Sequence, residues 1–160
     1  MLDSSTDLKS MLSDPSLLQT KAFINNQWVD SENGATFDVK NPARGDVIAQ
    51  VADLSRTDLA KAISSAAAAQ KKWAAISAKE RSNILRAWYN LMMENQADLA
   101  KILTAEMGKP LAEAMGEIAY GSSFVEFFAE EAKRNYGETI PGHQADKRIT
   151  VIKQPIGVAA

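Results

Sequence analysis

The sequence predicts an α/β chain made of a small antiparallel meander, a helical shell closed by one long helix, and the start of a parallel sheet. Three observations predict it. Short extended runs broken by turn signals fill residues 22–53, and apolar positions recur at three and four residues from Ser55 to Gly137. Beyond Gly137 the pattern returns to strand and stops on Ile156-Gly-Val-Ala-Ala160, an apolar run of the kind that forms an interior parallel strand.

Residues 1–21 are rich in Ser and Asp, with a weak Leu8, Met11, Leu12 helical pattern before Pro15, and read as a flexible arm. Next come three strands of one meander: Ala22 to Asp30, then Thr36 to Pro42 after the Glu-Asn-Gly turn signal, then Gly45 to Asp53 after Ala-Arg-Gly. Phe23, Trp28, Val29, Phe37 and Val39 share part of its packed face. Ser55 with Asp58 three residues on opens an Ala-rich helix that packs Leu59, Ile63, Ala66 and Trp73 on one side. Ser77-Ala-Lys-Glu80 is a capping box that opens a helix carrying Ile84, Leu85, Trp88, Leu91 and Met92. Asn95 or Asp98 starts a further helix through Leu99, Ile102 and Leu103.

Gly108-Lys109-Pro110 ends that helix and starts the long one, because glycine takes the left-handed conformation of a helix stop and proline tolerates a first helical position. From Pro110 to Tyr136 the long helix spans about 40 Å at 1.5 Å per residue, with Gly137 as its stop. One face carries Leu111, Met115, Ile118, Ser122, Val125 and Ala129 at core-packing spacing. A second stripe, Glu113, Gly116, Glu117, Tyr120, Phe124 and Phe127, mixes a small residue, carboxylates and aromatics. By periodicity this stripe suits a second buried side or a cavity wall. After Gly137, residues 139–142 read as a turn and Arg148 to Lys153 as a strand. The apolar run that follows has no cap or turn after it, which predicts a piece of a longer chain.

At 160 residues and 46% apolar content the chain is the size of one ordinary globular domain. A net charge of −2 from 18 basic and 20 acidic residues offers no face for nucleic acid or an anionic membrane. With no basic signal start, no Arg-rich presequence and no apolar run near the roughly 20 residues of a bilayer span, the expected compartment is the cytoplasm. There is no Cys, hence no thiol nucleophile, thiolate metal site or disulfide. His143 sits in a polar Gly-His-Gln-Ala-Asp loop and reads as solvated. Glu113 and Glu117, a turn apart, suit either a metal or an ion-paired, solvated face. No Gly-rich phosphate loop is present, so the residues name neither a catalytic nor a cofactor-binding set.

Four blocks, NPARGDVIAQV, AAAAQKKWAAISAKERSNILR, LTAEMGKPLAEAMGEIAY and YGETIPGHQADKRITVIKQPIGVAA, resemble in order the amino-terminal portion of the aldehyde dehydrogenase superfamily. The stretch FFAEEAKRNYGETIPGHQADKR with IKQPIGV is similar to its NADP-dependent succinate-semialdehyde dehydrogenases and their glutarate-semialdehyde relatives. The resemblance implies a Rossmann-type nucleotide-binding domain, a catalytic domain and an oligomerisation sheet. On it, residues 22–138 are the amino-terminal part of the nucleotide-binding domain, 139–154 an oligomerisation strand segment, and 155–160 the truncated start of the first parallel strand.

It further implies a full-length enzyme that oxidises a small-molecule semialdehyde through a thioester with NADP or NAD, works as a homo-oligomer, and binds its nucleophile, base and dinucleotide beyond Ala160. The 160 residues alone are then inactive. Gly116 and Tyr120 match positions lining the aldehyde tunnel, and Glu106, Val39 and Lys40 match positions that hold a monovalent cation in some relatives. The alternative expectation is a stand-alone, non-catalytic binding or assembly module that pairs through the edge strand Ile149 to Lys153.

Overall fold

The computed structural model describes residues 4–159. The stretch expected as a flexible arm carries a helix, α1 (Ser4–Met11), and a 3₁₀ turn at Pro15–Leu17. From Leu8 onward it is tied down: Leu8 and Leu12 are among the most buried apolar residues, the Asp14 N–H donates to Asp98 Oδ2 at 2.8 Å, and Lys101 Nζ donates to the Met11 carbonyl at 2.7 Å. Asp98 is buried, and the Asp14 N–H first and Lys101 second hold its carboxyl below the ordinary carboxylate range.

The strands depart from a single meander. β1 (Ala22–Ile24) and β2 (Gln27–Val29) form one hairpin, and β3 (Thr36–Lys40) and β4 (Val47–Ala52) a second. What reads in sequence as one strand from Ala22 to Asp30 is folded back at Asn25-Asn26, whose φ values of 51° and 59° give the doubly left-handed turn that suits strand twist. Asparagine tolerates that conformation better than other side chains. β3 and β4 are joined by the Asn41–Asp46 loop. There the Asn41 side chain accepts from the Ala43 N–H at 2.9 Å, the Gly45 N–H donates to the Asn41 carbonyl at 2.7 Å, and Arg44 pairs with Asp46. Phe23, Trp28 and Phe37, expected on a packed face, are about half exposed, because each hairpin stands as its own two-stranded sheet.

α2 (Arg56–Ala75) and α3 (Ala78–Glu94) both start at full capping boxes. The Asp58 N–H donates to Ser55 Oγ at 3.2 Å and the Ser55 N–H donates to Asp58 Oδ2 at 2.9 Å. Ser77 and Glu80 repeat the exchange at 3.2 and 2.8 Å. α2 touches mainly β1, and Leu59, Ile63 and Trp73 stay exposed rather than packed. α4 (Gln96–Met107) ends at Gly108, in the left-handed conformation with φ 79°, and its N–H donates to the Thr104 carbonyl at 2.9 Å.

α5 (Leu111–Glu131) is the axis of the helical layer and packs on both α3 and α4. Ala114, Ser122 and Ala129 are wholly buried along it, and Ala100 answers from α4. Small residues let helix backbones approach closely, and Ser122 satisfies its hydroxyl by donating to the Ile118 carbonyl at 2.7 Å. Of the expected packing face, Met115, Ile118, Ser122, Val125 and Ala129 are covered, whereas Leu111 is exposed at the helix start. The helix stops five residues short of Tyr136. Beyond Glu131, Arg134 pairs back to Glu131 at 2.6 Å and Lys133 to Glu130 at 2.7 Å, spending on the last turn the cations expected near the negative end of the helix.

An ion cluster staples α3 to α5. Arg86 reaches Glu126 at 2.6 Å and Glu130 at 2.9 Å. Lys133 first and Arg86 second hold the Glu130 carboxyl at about 2, against an ordinary 4.5. A carboxyl depressed on folding stabilises the folded state above its unfolded value, and that contribution disappears as pH falls from 4.5 toward 2. The melting temperature is therefore expected to drop over that window by more in the wild type than in Glu130→Gln. Equal acid slopes in a differential scanning experiment would exclude the staple as an acid-labile contact.

Residues 139–142, expected as a turn, are largely strand. β5 (Glu138–Pro141) pairs antiparallel with β6 (Arg148–Val151), in register Glu138↔Val151 and Pro141↔Arg148. Proline is accepted there because the hairpin has only two strands and every residue of it is exposed. Residues 156–159 make no strand, since a parallel strand requires a neighbour to hydrogen-bond and β1 to β6 pair only among themselves; Ala160 lies outside the described residues. Among the described residues no helix is long and apolar enough to cross a membrane.

Candidate functional site

The site grows from the break between α4 and α5. Left-handed Gly108 turns the chain, and Pro110 at φ −55° and ψ 140° serves as the N-cap, so α5 leaves in a fixed direction from Leu111. Gly108 also lies against the Asn41–Asp46 loop, where a Cβ in its place would stand 2.9 Å from Pro42 Cγ. Lys109 folds forward to an ion pair with Glu117. That pair resolves the choice left open for the two glutamates: Glu117 is ion-paired and Glu113 is solvent-exposed.

The second stripe of α5 faces outward along its whole length. Tyr120 is 65% exposed, and Phe124 and Phe127 are about half exposed. Tyr120 and Phe124 meet edge to face at 4.9 Å, which fixes the ring of Tyr120 one turn beyond Gly116. A Cβ at Gly116 would meet nothing within 4 Å, so no packing inside this chain demands a glycine there. Gly116 and Tyr120 thus form an open notch beside an aromatic ring, on a helix whose opposite face is locked onto α3 and α4.

The cation candidates fall on two segments that the Pro42–Gly108 contact draws together. Val39 and Lys40 flank a β-bulge at the end of β3, and Glu106 is exposed in the last turn of α4. One carboxylate plus main-chain carbonyls is an oxygen-only donor set, fit for a hard cation of low charge and unfit for a transition metal. Among the described residues no three His, Asp or Glu side chains cluster to hold a metal ion.

At the starts of α2 and α3 the N–H groups of Ser55 and Ser77 donate to the carboxylates of Asp58 and Glu80, both held below their ordinary range, Asp58 mainly by the Ser55 N–H and Glu80 mainly by the Ser77 hydroxyl, so these two helix starts place negative charge where an anion would otherwise sit. His143 lies on the exposed β5–β6 loop, far in character from a buried base. A cleft between α1 and α4 escaped the sequence. About 290 Å³ opens among Leu8, Met11, Ile48 and Thr104, where the buried Thr104 hydroxyl meets no hydrogen-bond partner among the described residues. α1 and α4 are more than 80 residues apart in the chain, so no local signal marked it.

Known proteins share this arrangement. The sequence model of the aldehyde dehydrogenase family matches residues 28–160. The chain belongs to the aldehyde dehydrogenase family. It is 57% identical over 149 residues to the glutarate-semialdehyde dehydrogenase of Pseudomonas putida, covering 93% of this chain and 31% of that protein. It is 56% identical over the same length and shares to the NADP(+) succinate-semialdehyde dehydrogenase GabD of Escherichia coli. A crystal structure described as an E. coli NADP-dependent enzyme superposes with a TM-score of 0.89 at 56% identity, over 91% of this chain and 30% of that one. The chain therefore spans about a third of the length of the aldehyde dehydrogenases it matches, and the fold is the amino-terminal part of theirs.

Proposed function

We propose that this chain is the amino-terminal part of an NAD(P)-dependent semialdehyde dehydrogenase, which oxidises succinate semialdehyde or glutarate semialdehyde to the dicarboxylate through a thioester. The observation that carries the reading is the 56–57% identity, over 93% of the chain, to a succinate- and a glutarate-semialdehyde dehydrogenase. A thioester needs a thiolate, and with no Cys among the 160 residues the nucleophile comes from outside them. The dinucleotide is likewise held elsewhere.

What these residues supply is a wall and a frame. Gly116 and Tyr120 border the path of the aldehyde, with Tyr120 giving an aromatic surface and Gly116 the clearance beside it. Glu106 and the carbonyls of Val39 and Lys40 hold a monovalent cation that braces the loop against α4. Residues 22–138 belong to the nucleotide-binding domain, 139–154 to an oligomerisation sheet in a homo-oligomer, and 155–160 to the first parallel strand, in a cytoplasmic enzyme.

Tyr120→Ala, made in this chain joined to the remaining domains of the E. coli relative, tests the wall. KM for long or bulky aldehydes is expected to rise about tenfold, the equivalent of about 1.4 kcal/mol of lost contact. Unchanged kinetics across a chain-length series would remove Tyr120 from the path.

A second reading, a non-catalytic assembly module, draws on the full exposure of β5 and β6, which leaves strand edges open to another chain. Oxidation of semialdehyde by the joined protein decides against it.

A further inference from the structure

The turn that joins β2 to β3 holds the one Asn-Gly pair of the sequence, Asn33-Gly34; every other asparagine is followed by a residue with a side chain. Side-chain amides are the thermally labile groups of a protein. An asparagine before glycine is the most exposed of them to its own backbone, because the next amide nitrogen reaches the asparagine Cγ with no Cβ in the way. Asn33 and Gly34 are both exposed, so water reaches the pair. A Cβ at Gly34 would meet nothing within 4 Å, so packing does not explain the glycine.

Three hydrogen bonds hold the two reacting atoms. The Gly34 N–H donates to the Ser31 carbonyl at 2.9 Å, which ties up the proton that must leave before the nitrogen attacks. Asn33 Oδ1 accepts from the Ala35 N–H at 2.9 Å and from Ser31 Oγ at 2.5 Å, so the side chain is pinned as an Asx turn instead of swinging onto the Gly34 nitrogen. Ser31 supplies two of the three bonds and is itself 5% exposed. Glu32 beside it pairs with Lys61 of α2 at 3.0 Å. All the reacting groups lie within five consecutive residues, so their setting is made by this stretch of chain alone.

We propose that Asn33 is a self-modification site and that the Ser31–Gly34 turn is its brake. When the turn opens, a bond forms between the Gly34 nitrogen and Asn33 Cγ, the Cγ–Nδ2 bond breaks, and ammonia leaves with the proton given up by Gly34. The five-membered imide that remains takes up one water at either of its carbonyls and becomes aspartate or isoaspartate. No oxidant, cofactor or second protein enters. Either product adds a negative charge to a turn that already carries Asp30 and Glu32. Isoaspartate also lengthens the main chain just before Ala35, whose carbonyl accepts the Asp53 N–H at 2.9 Å, so the change is felt at the open end of the β3–β4 hairpin.

The test incubates the 160-residue chain at mildly alkaline pH and maps its peptides by mass spectrometry, reading the amide-to-acid mass gain at each asparagine. A free peptide of residues 30–36 is the unbraked reference. Asn33 is expected to convert ahead of every other asparagine, and more slowly in the chain than in the peptide. Ser31→Ala, which loses one bond to Oδ1, is expected to convert about fivefold faster than wild type, the extra opening released by one net hydrogen bond. Ser31→Thr keeps the hydroxyl and is expected to convert at the wild-type rate. Amide exchange at Asp53 is expected to stay unchanged in both variants. Conversion at Asn33 no faster than at the other asparagines overturns the proposal, as does a chain that converts as fast as the peptide. Equal rates in wild type and Ser31→Ala overturn the brake. So does acceleration accompanied by faster exchange at Asp53, which would place the effect in the hairpin as a whole.

Discussion

Gly137→Ala is expected to unpair the open end of the β5–β6 hairpin. A Cβ at this position would stand 2.3 Å from the Val151 carbonyl oxygen and 3.4 Å from its carbonyl carbon. The obstacle is backbone, so no side chain can rotate away, and relief requires the two strands to part at Glu138↔Val151. Forcing even a methyl group into a site without room costs roughly 1–3 kcal/mol, and a two-stranded hairpin with every residue exposed has little to set against it. Amide exchange at Glu138 and Val151 is expected to accelerate by one to two orders of magnitude, while α3 to α5 keep their protection. Unchanged exchange at both amides would show that the close approach is not required.

Gly108→Val is expected to lower helical stability more than any single surface change in the chain. Two costs add. The left-handed backbone at φ 79° disfavours any side chain by about 1–2 kcal/mol, and more for a β-branched one. The new Cβ also meets Pro42 Cγ at 2.9 Å, an overpacking contact of about 1–3 kcal/mol. The urea midpoint followed by circular dichroism is expected to fall accordingly. Adding Pro42→Ala separates the two terms, because it removes the collision and leaves the backbone strain. Partial recovery in the double variant is the expected sign; no recovery would place the whole cost in the backbone. Because Gly108 sets the direction in which α5 leaves, the same substitution is expected to disturb the Gly116–Tyr120 notch, which begins about two turns further on.

The features legible in the sequence are those whose cause lies within about four residues. Ser55 with Asp58 and Ser77 with Glu80 are each three apart, and each closes the reciprocal pair of hydrogen bonds that the spacing implies. Gly108 stops α4 in the left-handed conformation, which glycine enters without the steric cost of a Cβ. The packing stripe of α5 was legible from Met115 to Ala129 for the same reason, since helical periodicity is local.

Where the sequence misled, a weak local signal was overruled. Asn25-Asn26 looked like strand interior yet folds the strand back on itself. Ala132 to Tyr136 looked helical, but the chain turns at Ala132 and Lys133, and the charges of Lys133 and Arg134 are engaged with Glu130 and Glu131. The arm looked polar and loose, yet Leu8 and Leu12 find a place beside β4 and α4.

The sequence by itself determined the capped starts of α2 and α3, the stop of α4 at Gly108, the two stripes of α5 and, through four ordered blocks, membership of the aldehyde dehydrogenase family. Only the tertiary structure decided which stripe is covered and which stays open, that Asp98 receives the N–H of Asp14 from 84 residues away, and that Pro42 lies against Gly108. The physical reason is range: a cap or a period is fixed by neighbours along the chain, whereas the open aromatic face of α5 is defined by what packs on its other side.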